Sequence, residues 1–323
     1  MATQAGNLRQ RKVILEAIDQ AETMAAKDDR AFLEVFRQHA RPRIQAPGGG
    51  GARSIGLPVG GPRTSAGPRL EADPRYLANV RKLAKRTTQN ARIIGGTNVV
   101  GKEFDDCVAV GDDVQFGCTG TLIASNVVLT AGHCEVLHTR IFVGNDTAKT
   151  GRVFRVKRHV RHPSWDTKLN NDLMLLILEK PVTGVAPRKL ATSAVIDKAT
   201  DARVVGYGTT DTAGTKGYGT KQQTDVPIVS PACSGRVKGR SDGSVYGCHA
   251  AKELVAGKPL LLHDTCRGDS GGPLYVLNKQ GQWLLAGVTS RGTDLATTMC
   301  GDGGLYTRVD KYRTWITSAI KAG

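Results

Sequence analysis

Long apolar runs are missing from this sequence. No stretch among its 323 residues approaches the roughly 18 consecutive apolar residues that cross a bilayer, so no membrane span is expected. The first 30 residues carry charges every few positions. They lack the apolar core of a secretory leader, and no signal peptide is expected. Seven cysteines are too few for a mini-protein disulfide scaffold of this length, and the 40% hydrophobic content is too high for wholesale disorder. No recognised nucleic-acid motif accompanies the basic residues, which argues against nucleic acid as a partner.

The length suggests about two domains, although a large β fold can run longer as one. The net charge is +16. Residues 1–92 hold 17 Lys and Arg against 8 Asp and Glu, so the excess concentrates in the first quarter. A basic surface attracts acidic partners.

Residues 1–41 read as a helical hairpin. Ile14, Ile18, Ala21 and Ala25 recur at helical spacing, and Asp28 can cap a second helix carrying Phe32, Val35, Phe36 and His39. Two helices bury little surface, so the hairpin is read equally as a pro-segment or as a module on which a regulatory protein docks. Residues 42–74 form a linker, with 13 Gly or Pro in positions 42–68. Residues 75–92 read as a basic segment with one helix, carrying Arg75, Arg81, Lys82, Lys85 and Arg86.

After Arg92 the texture changes. Short β-rich runs cover 121–123, 127–129, 140–143, 153–156, 173–178, 203–205, 283–288 and 305–309, separated by Gly, Asn, Asp and Pro. Many short strands between turn signals predict an all-β sandwich or barrel. Residues 311–321 read as a terminal helix.

Four segments carry chemical meaning together. They are Ile93-Ile94-Gly95-Gly96 after Arg92, Thr130-Ala131-Gly132-His133-Cys134, Asn171-Asp172-Leu173-Met174-Leu175, and Gly268-Asp269-Ser270-Gly271-Gly272-Pro273. In the order His, Asp, Ser, they resemble the trypsin-like, chymotrypsin-fold serine proteases. The resemblance covers residues 93–323 and stops short of 1–92. It implies an all-β double six-stranded β-barrel with a C-terminal helix, preceded by the small helical segment. It also implies an activity, that of a serine endopeptidase made as a zymogen. A serine hydroxyl is a poor nucleophile unless a base takes its proton, and that base needs an orienting partner. By resemblance, Ser270 is the nucleophile, His133 the base and Asp172 its partner, with the N–H groups of Gly268 and Ser270 as the oxyanion hole.

The resemblance extends to specificity. Asp264, six residues before Ser270, matches the base of a pocket for Arg or Lys. Thr265 beside it has a hydroxyl that can assist a guanidinium. Gly292 and Gly304 match the wall glycines. Ser290, Arg291 and Gly292 match the strand that pairs with substrate backbone, but Arg291 replaces the usual aromatic residue and leaves the S2–S4 preferences open. The implied substrates are proteins or peptides with Arg or Lys at the cleaved position. Cleavage of Arg92–Ile93 would free an α-amino group to pair with Asp269. The implied disulfides are Cys118–Cys134, Cys233–Cys248 and Cys266–Cys300, leaving Cys107 as a buried thiol or an intermolecular link. No cofactor and no metal is implied. In particular, the loop after Asp146 lacks the acidic ligands that calcium requires. The basic run Arg152, Arg155, Lys157, Arg158 and Arg161 reads as a solvated strand face rather than an exosite. The absent leader leans localisation toward the cytoplasm, whereas three disulfides favour a secreted or periplasmic chain. The alternative from another class is a non-catalytic binding protein on the protease scaffold.

Overall fold

The computed structural model describes residues 96–211, 216–257, 264–296 and 300–321, with the side chains of 135–137 left aside. The expected hairpin at 1–41, linker at 42–74 and basic segment at 75–92 lie outside the described residues, as do Arg92 and Ile93.

The first barrel comprises β2 (Cys107–Gly111), β3 (Cys118–Ala124), β4 (Val127–Thr130), β5 (Arg140–Val143), β6 (Arg152–Arg161) and β7 (Met174–Leu178). These close in the order β2-β3-β4-β7-β6-β5, every pair antiparallel. Closure removes the unpaired strand edges that an open sheet would expose. β4 and β7 are buried along their whole lengths, which is why they read as continuous apolar runs.

The second barrel is built from β8 (Asp201–Gly206), β9 (Gln222–Ser230), β12 (Glu253–Ala256), β13 (Pro273–Leu277), β14 (Trp283–Gly292) and β15 (Gly304–Arg308). It runs β9-β12-β15-β14-β13-β8, and β8 pairs back onto β9 to close it. β1 (Thr97–Asn98) adds to β9, and β10 (Arg236–Val237) and β11 (Arg240–Ser241) form a separate hairpin. Helices are short: α1 (Ser193–Ile196), α2 (Asp242–Tyr246) and the C-terminal α3 (Arg313–Lys321). The expected double barrel with a terminal helix is therefore present. Among the described residues no helix is long and apolar enough to cross a membrane.

The barrels are joined across a polar seam. Asp106, 2% exposed, accepts from Arg188 Nε at 3.0 Å and from Tyr275 Oη at 2.6 Å. Its other oxygen meets Arg188 Nη2. Phe104 stacks on Tyr275 with ring centroids 5.1 Å apart, and the Arg188 guanidinium lies 4.8 Å from the Tyr275 ring centroid. The residues before β2, the segment between the barrels and β13 are thus held at one point.

All three implied disulfides form, and Cys107 is a buried free thiol. Burial pushes that thiol's pKa far up, against the opposing effect of Lys221. Three disulfides fit the secreted or periplasmic alternative, and the cytoplasmic expectation is not supported. β6 is mostly exposed, in keeping with a solvated face for Arg152, Arg155, Lys157 and Arg158, whereas Arg161 is half-buried and turns its guanidinium onto Trp165.

Removing the carboxylate of Asp106 leaves a buried guanidinium uncompensated, a change that typically costs about 3–5 kcal/mol. Asp106→Ala should therefore lower the denaturant midpoint steeply, measured by urea unfolding at neutral pH. A loss below about 1 kcal/mol, the range of an exposed pair, would show that the seam does not hold the barrels.

Candidate active site

The site forms where the ends of strands from both barrels meet. After β4 the chain turns through a 3-10 segment, Gly132–Leu137, which carries His133. Asp172 sits in the turn that enters β7. Its oxygens accept from His133 N at 2.9 Å, His133 Nδ1 at 2.7 Å, Ser290 Oγ at 2.6 Å and Trp165 Nε1 at 3.1 Å. Burial alone would raise this carboxyl's pKa. The adjacent imidazole, its two hydrogen bonds and the Ser290 hydroxyl outweigh burial and hold it below the usual carboxylate range. Bonding through Nδ1 leaves Nε2 of His133 as the outward nitrogen. Among the described residues, buried Nε2 has no hydrogen-bond partner, Ser270 Oγ included. Such bonds are often long before substrate binds and tighten in the complex.

Ser270 is 7% exposed, on the tight loop that opens β13. The loop's backbone is sorted into used and unused donors. Asp269, Gly271 and Gly272 donate to Cys266, Thr289 and Asp269, and Ser270 O accepts from Thr119 N at 2.8 Å. Among the described residues the N–H groups of Gly268 and Ser270 donate to no intramolecular acceptor. Gly268 has φ +95°, a conformation that L side chains rarely adopt. The Thr119 hydroxyl tethers its carbonyl at 2.8 Å.

Asp269, 1% exposed, points inward, accepting from Gly208 N and Cys266 N, each at 2.8 Å. A Cβ on Gly208 would come within 2.6 Å of this carboxyl group, so the backbone can approach so closely only as glycine. Burial pushes the Asp269 carboxyl up to about 7, against the lowering effect of the two N–H groups.

A pocket opens beside Ser270. It is lined by Asp264, Thr265, Ser290, Arg291, Gly292, Asp302 and Gly304, among others. Gly292 and Gly304 face each other across β14 and β15. Asp264 is 3% exposed, and Tyr306 Oη and Thr265 Oγ1 donate to its Oδ1 at 3.3 and 3.4 Å. Burial raises the Asp264 carboxyl to about 7, with the negative charge of Asp302 adding to the effect and the N–H groups of Thr265 and Gly303 opposing it.

Several of these contacts have no sequence signal. Ser290, expected only as part of the substrate-pairing strand, also points its hydroxyl at Asp172. Thr119, Trp165, Tyr306 and Asp302 belong to no motif that marks them. Arg291 turns into a buried pair, its Nη1 2.6 Å from Glu253 Oε1 and its Nη2 2.9 Å from Oε2, with a further bond to Gly247 O at 2.9 Å. Among the described residues, the His, Cys and carboxylate set with metal-binding spacing is Cys118, Cys134 and His138, whose ligand atoms lie within 4.8 Å of one another. Its two sulfurs are already joined to each other.

Comparison with known proteins agrees with this geometry. The family model described as Trypsin matches residues 93–316. A trypsin from Saccharopolyspora erythraea is 34% identical over 244 residues, covering 72% of this chain and 99% of that protein. Chymotrypsin-like elastase family member 1 from Canis lupus familiaris is 30% identical over 251 residues, covering 72% of this chain and 93% of that protein. Human kallikrein-7 is 30% identical over 247 residues, covering 74% of this chain and 91% of that protein. With a closed pair of barrels, three disulfides and a His–Asp pair beside a serine loop, the chain belongs to the trypsin family of serine proteases.

Proposed function

We propose that this protein is a serine endopeptidase that cleaves after Arg or Lys. The observation that carries the specificity is the buried Asp264 carboxylate on the wall of a pocket whose lining includes Ser270. A buried carboxylate strongly favours a cation beside it over an apolar side chain. Ser270 Oγ attacks the scissile carbonyl carbon while His133 Nε2 takes the hydroxyl proton. Asp172 keeps His133 in the tautomer that leaves Nε2 free and stabilises the imidazolium. The N–H groups of Gly268 and Ser270 receive the developing oxyanion, each worth about 2.7–4 kcal/mol in the transition state. His133 returns the proton to the leaving amine, and water then releases the acyl group by the same route.

The protease unit, 93–323, follows a regulatory segment made of 1–41, 42–74 and 75–92. Cutting Arg92–Ile93 creates an α-ammonium for Asp269. That buried carboxyl, held only by backbone N–H groups among the described residues, gains the cation that favours its charged form. Arg92 suits the proposed pocket, so the enzyme can process itself.

Ser270→Ala should lower kcat/KM on a small arginine substrate by about 10⁴-fold or more, and His133→Ala comparably, because such residues act as a unit. A fluorophosphonate probe should label the wild type at Ser270 and leave Ser270→Ala unlabelled. Hydrolysis by either variant near the wild-type rate would sink the mechanism.

Asp264→Ser should cost arginine substrates about 30-fold to several thousand-fold in kcat/KM, from the ~2–5 kcal/mol of a buried charge pair. The Asp264 carboxyl sits near 7, so below that pH it is protonated in the free enzyme. A cationic ligand stabilises the ionised form and expels the proton. Benzamidine binding measured by calorimetry in two buffers at pH 6 should release nearly one proton, and at pH 8.5 almost none. Equal values at both pH settings would remove Asp264 from the pocket base.

An Arg92→Gln chain should stay uncut and nearly inactive. N-terminal sequencing of active wild type should begin at Ile93. Full activity from uncut Arg92→Gln would exclude activation by cleavage.

A further inference from the structure

The Asp172 carboxylate is fixed by more than His133 and Ser290. Trp165 closes a turn before it, with its own N–H bonded to His162 O at 3.0 Å, and aims Nε1–H at Asp172 Oδ1 at 3.1 Å. The indole reaches this point because its pyrrole atoms close directly onto Gly132, the residue just before His133. A Cβ at Gly132 would stand 2.6 Å from Trp165 Cδ1 and 2.9 Å from Nε1. The Arg161 guanidinium from β6 sits 4.2 Å from the indole ring centroid. A cation over the ring is attracted to its face and strengthens the indole N–H as a donor. Glycine at 132 and tryptophan at 165 are therefore one device, in which the missing side chain makes room for the donor.

We propose that Trp165 is a positioning residue for this reaction, which holds Asp172 in line with His133 and withdraws negative charge from it through the indole N–H. The inference deepens the reading of His133, Asp172 and Ser270 as the triad and rests on it. Asp172 shares its charge among four donors, so its hold on the His133 imidazolium is weaker than with three. Without the indole N–H the carboxylate attracts the imidazolium more strongly, but it is no longer held in line with Nδ1, and the lost alignment outweighs that gain in kcat. The other titratable or charged groups around the pair are Arg161, His138, His162, Tyr312, the Arg291–Glu253 pair that reaches Ser290 Oγ and, through Asn171, Lys252. Trp165→Phe changes none of them and keeps an aromatic ring on Gly132.

The test is the pH profile of activated full-length enzyme on a small arginine substrate. Trp165→Phe should lower kcat by roughly 10-fold, the scale of one hydrogen bond to a charged group, with KM little changed. The acid limb of kcat, read with Asp264 already paired with the arginine side chain, should move up by about half a pH unit. Gly132→Ala, which drives the indole off Asp172, should shift the limb in the same direction. It serves as the second variant should Trp165→Phe fail to fold by near-UV circular dichroism. A normal kcat with an unmoved limb overturns the proposal, as does a fall in kcat with no movement of the limb, which marks a purely structural role. A wild type that neither hydrolyses substrate nor takes the fluorophosphonate label overturns the triad reading instead, and this one with it.

Discussion

Asp172 keeps its charge without contact with water. It is fully buried, and four donors converge on its two oxygens. Three come from the first barrel and its loops, and the fourth, Ser290 Oγ, comes from β14 of the second. A buried carboxylate that loses its partners becomes an uncompensated charge, so the barrels are most stable in the one relative position that completes this set. The clasp at Asp106, with Arg188 and Tyr275, fixes the same relation at another point of the seam. These two constraints, with the bonds from Thr119 to Ser270 O and Gly268 O and the apolar cluster shared by the barrels, fix His133 relative to the Ser270 loop.

Three buried aspartates of this domain have opposite fates, for one physical reason. Asp172 sits beside an imidazole and is held below the usual carboxylate range. Asp264 and Asp269 have only neutral donors around them, and burial carries both to about 7. In the proposed mechanism each meets its cation from elsewhere: Asp264 from the substrate side chain, Asp269 from the freed chain terminus. Substrate recognition and activation are then the same electrostatic event at two places, a proton given up in exchange for a fixed positive charge.

Much of this was legible before any fold was known. The short apolar runs in β4, β7, β14 and β15 announce their strands, and the motifs around His133, Asp172 and Ser270 lie at the ends of strands. β9 was not legible, because Gln222, Gln223, Asp225 and Pro227 interrupt its pattern. β13 hides behind the glycines and Pro273 of the serine loop. Cys107–Gly111 is too short and its residues too small to stand out. The site contacts that the sequence conceals are long-range pairings of ordinary residues. Thr119 meets Gly268 across 149 positions and Ser290 meets Asp172 across 118, and only the closed barrels bring them together. Arg291 was visible as a departure from the family pattern, but its partner Glu253, 38 positions away, was not.

The seam that joins the barrels also governs how the molecule can be divided. His133 and Asp172 belong to one barrel, whereas Ser270, Ser290 and Asp264 belong to the other. Either half alone would carry only part of the proposed triad and pocket. A chain that exchanged one barrel would have to carry the facing residues along with it to keep the proposed reaction. One apolar cluster, reaching from Val108 and Leu129 of the first barrel to Val205, Leu285 and Val288 of the second, packs the two as one body, so the interface rather than the single barrel is the unit that a change of sequence has to preserve.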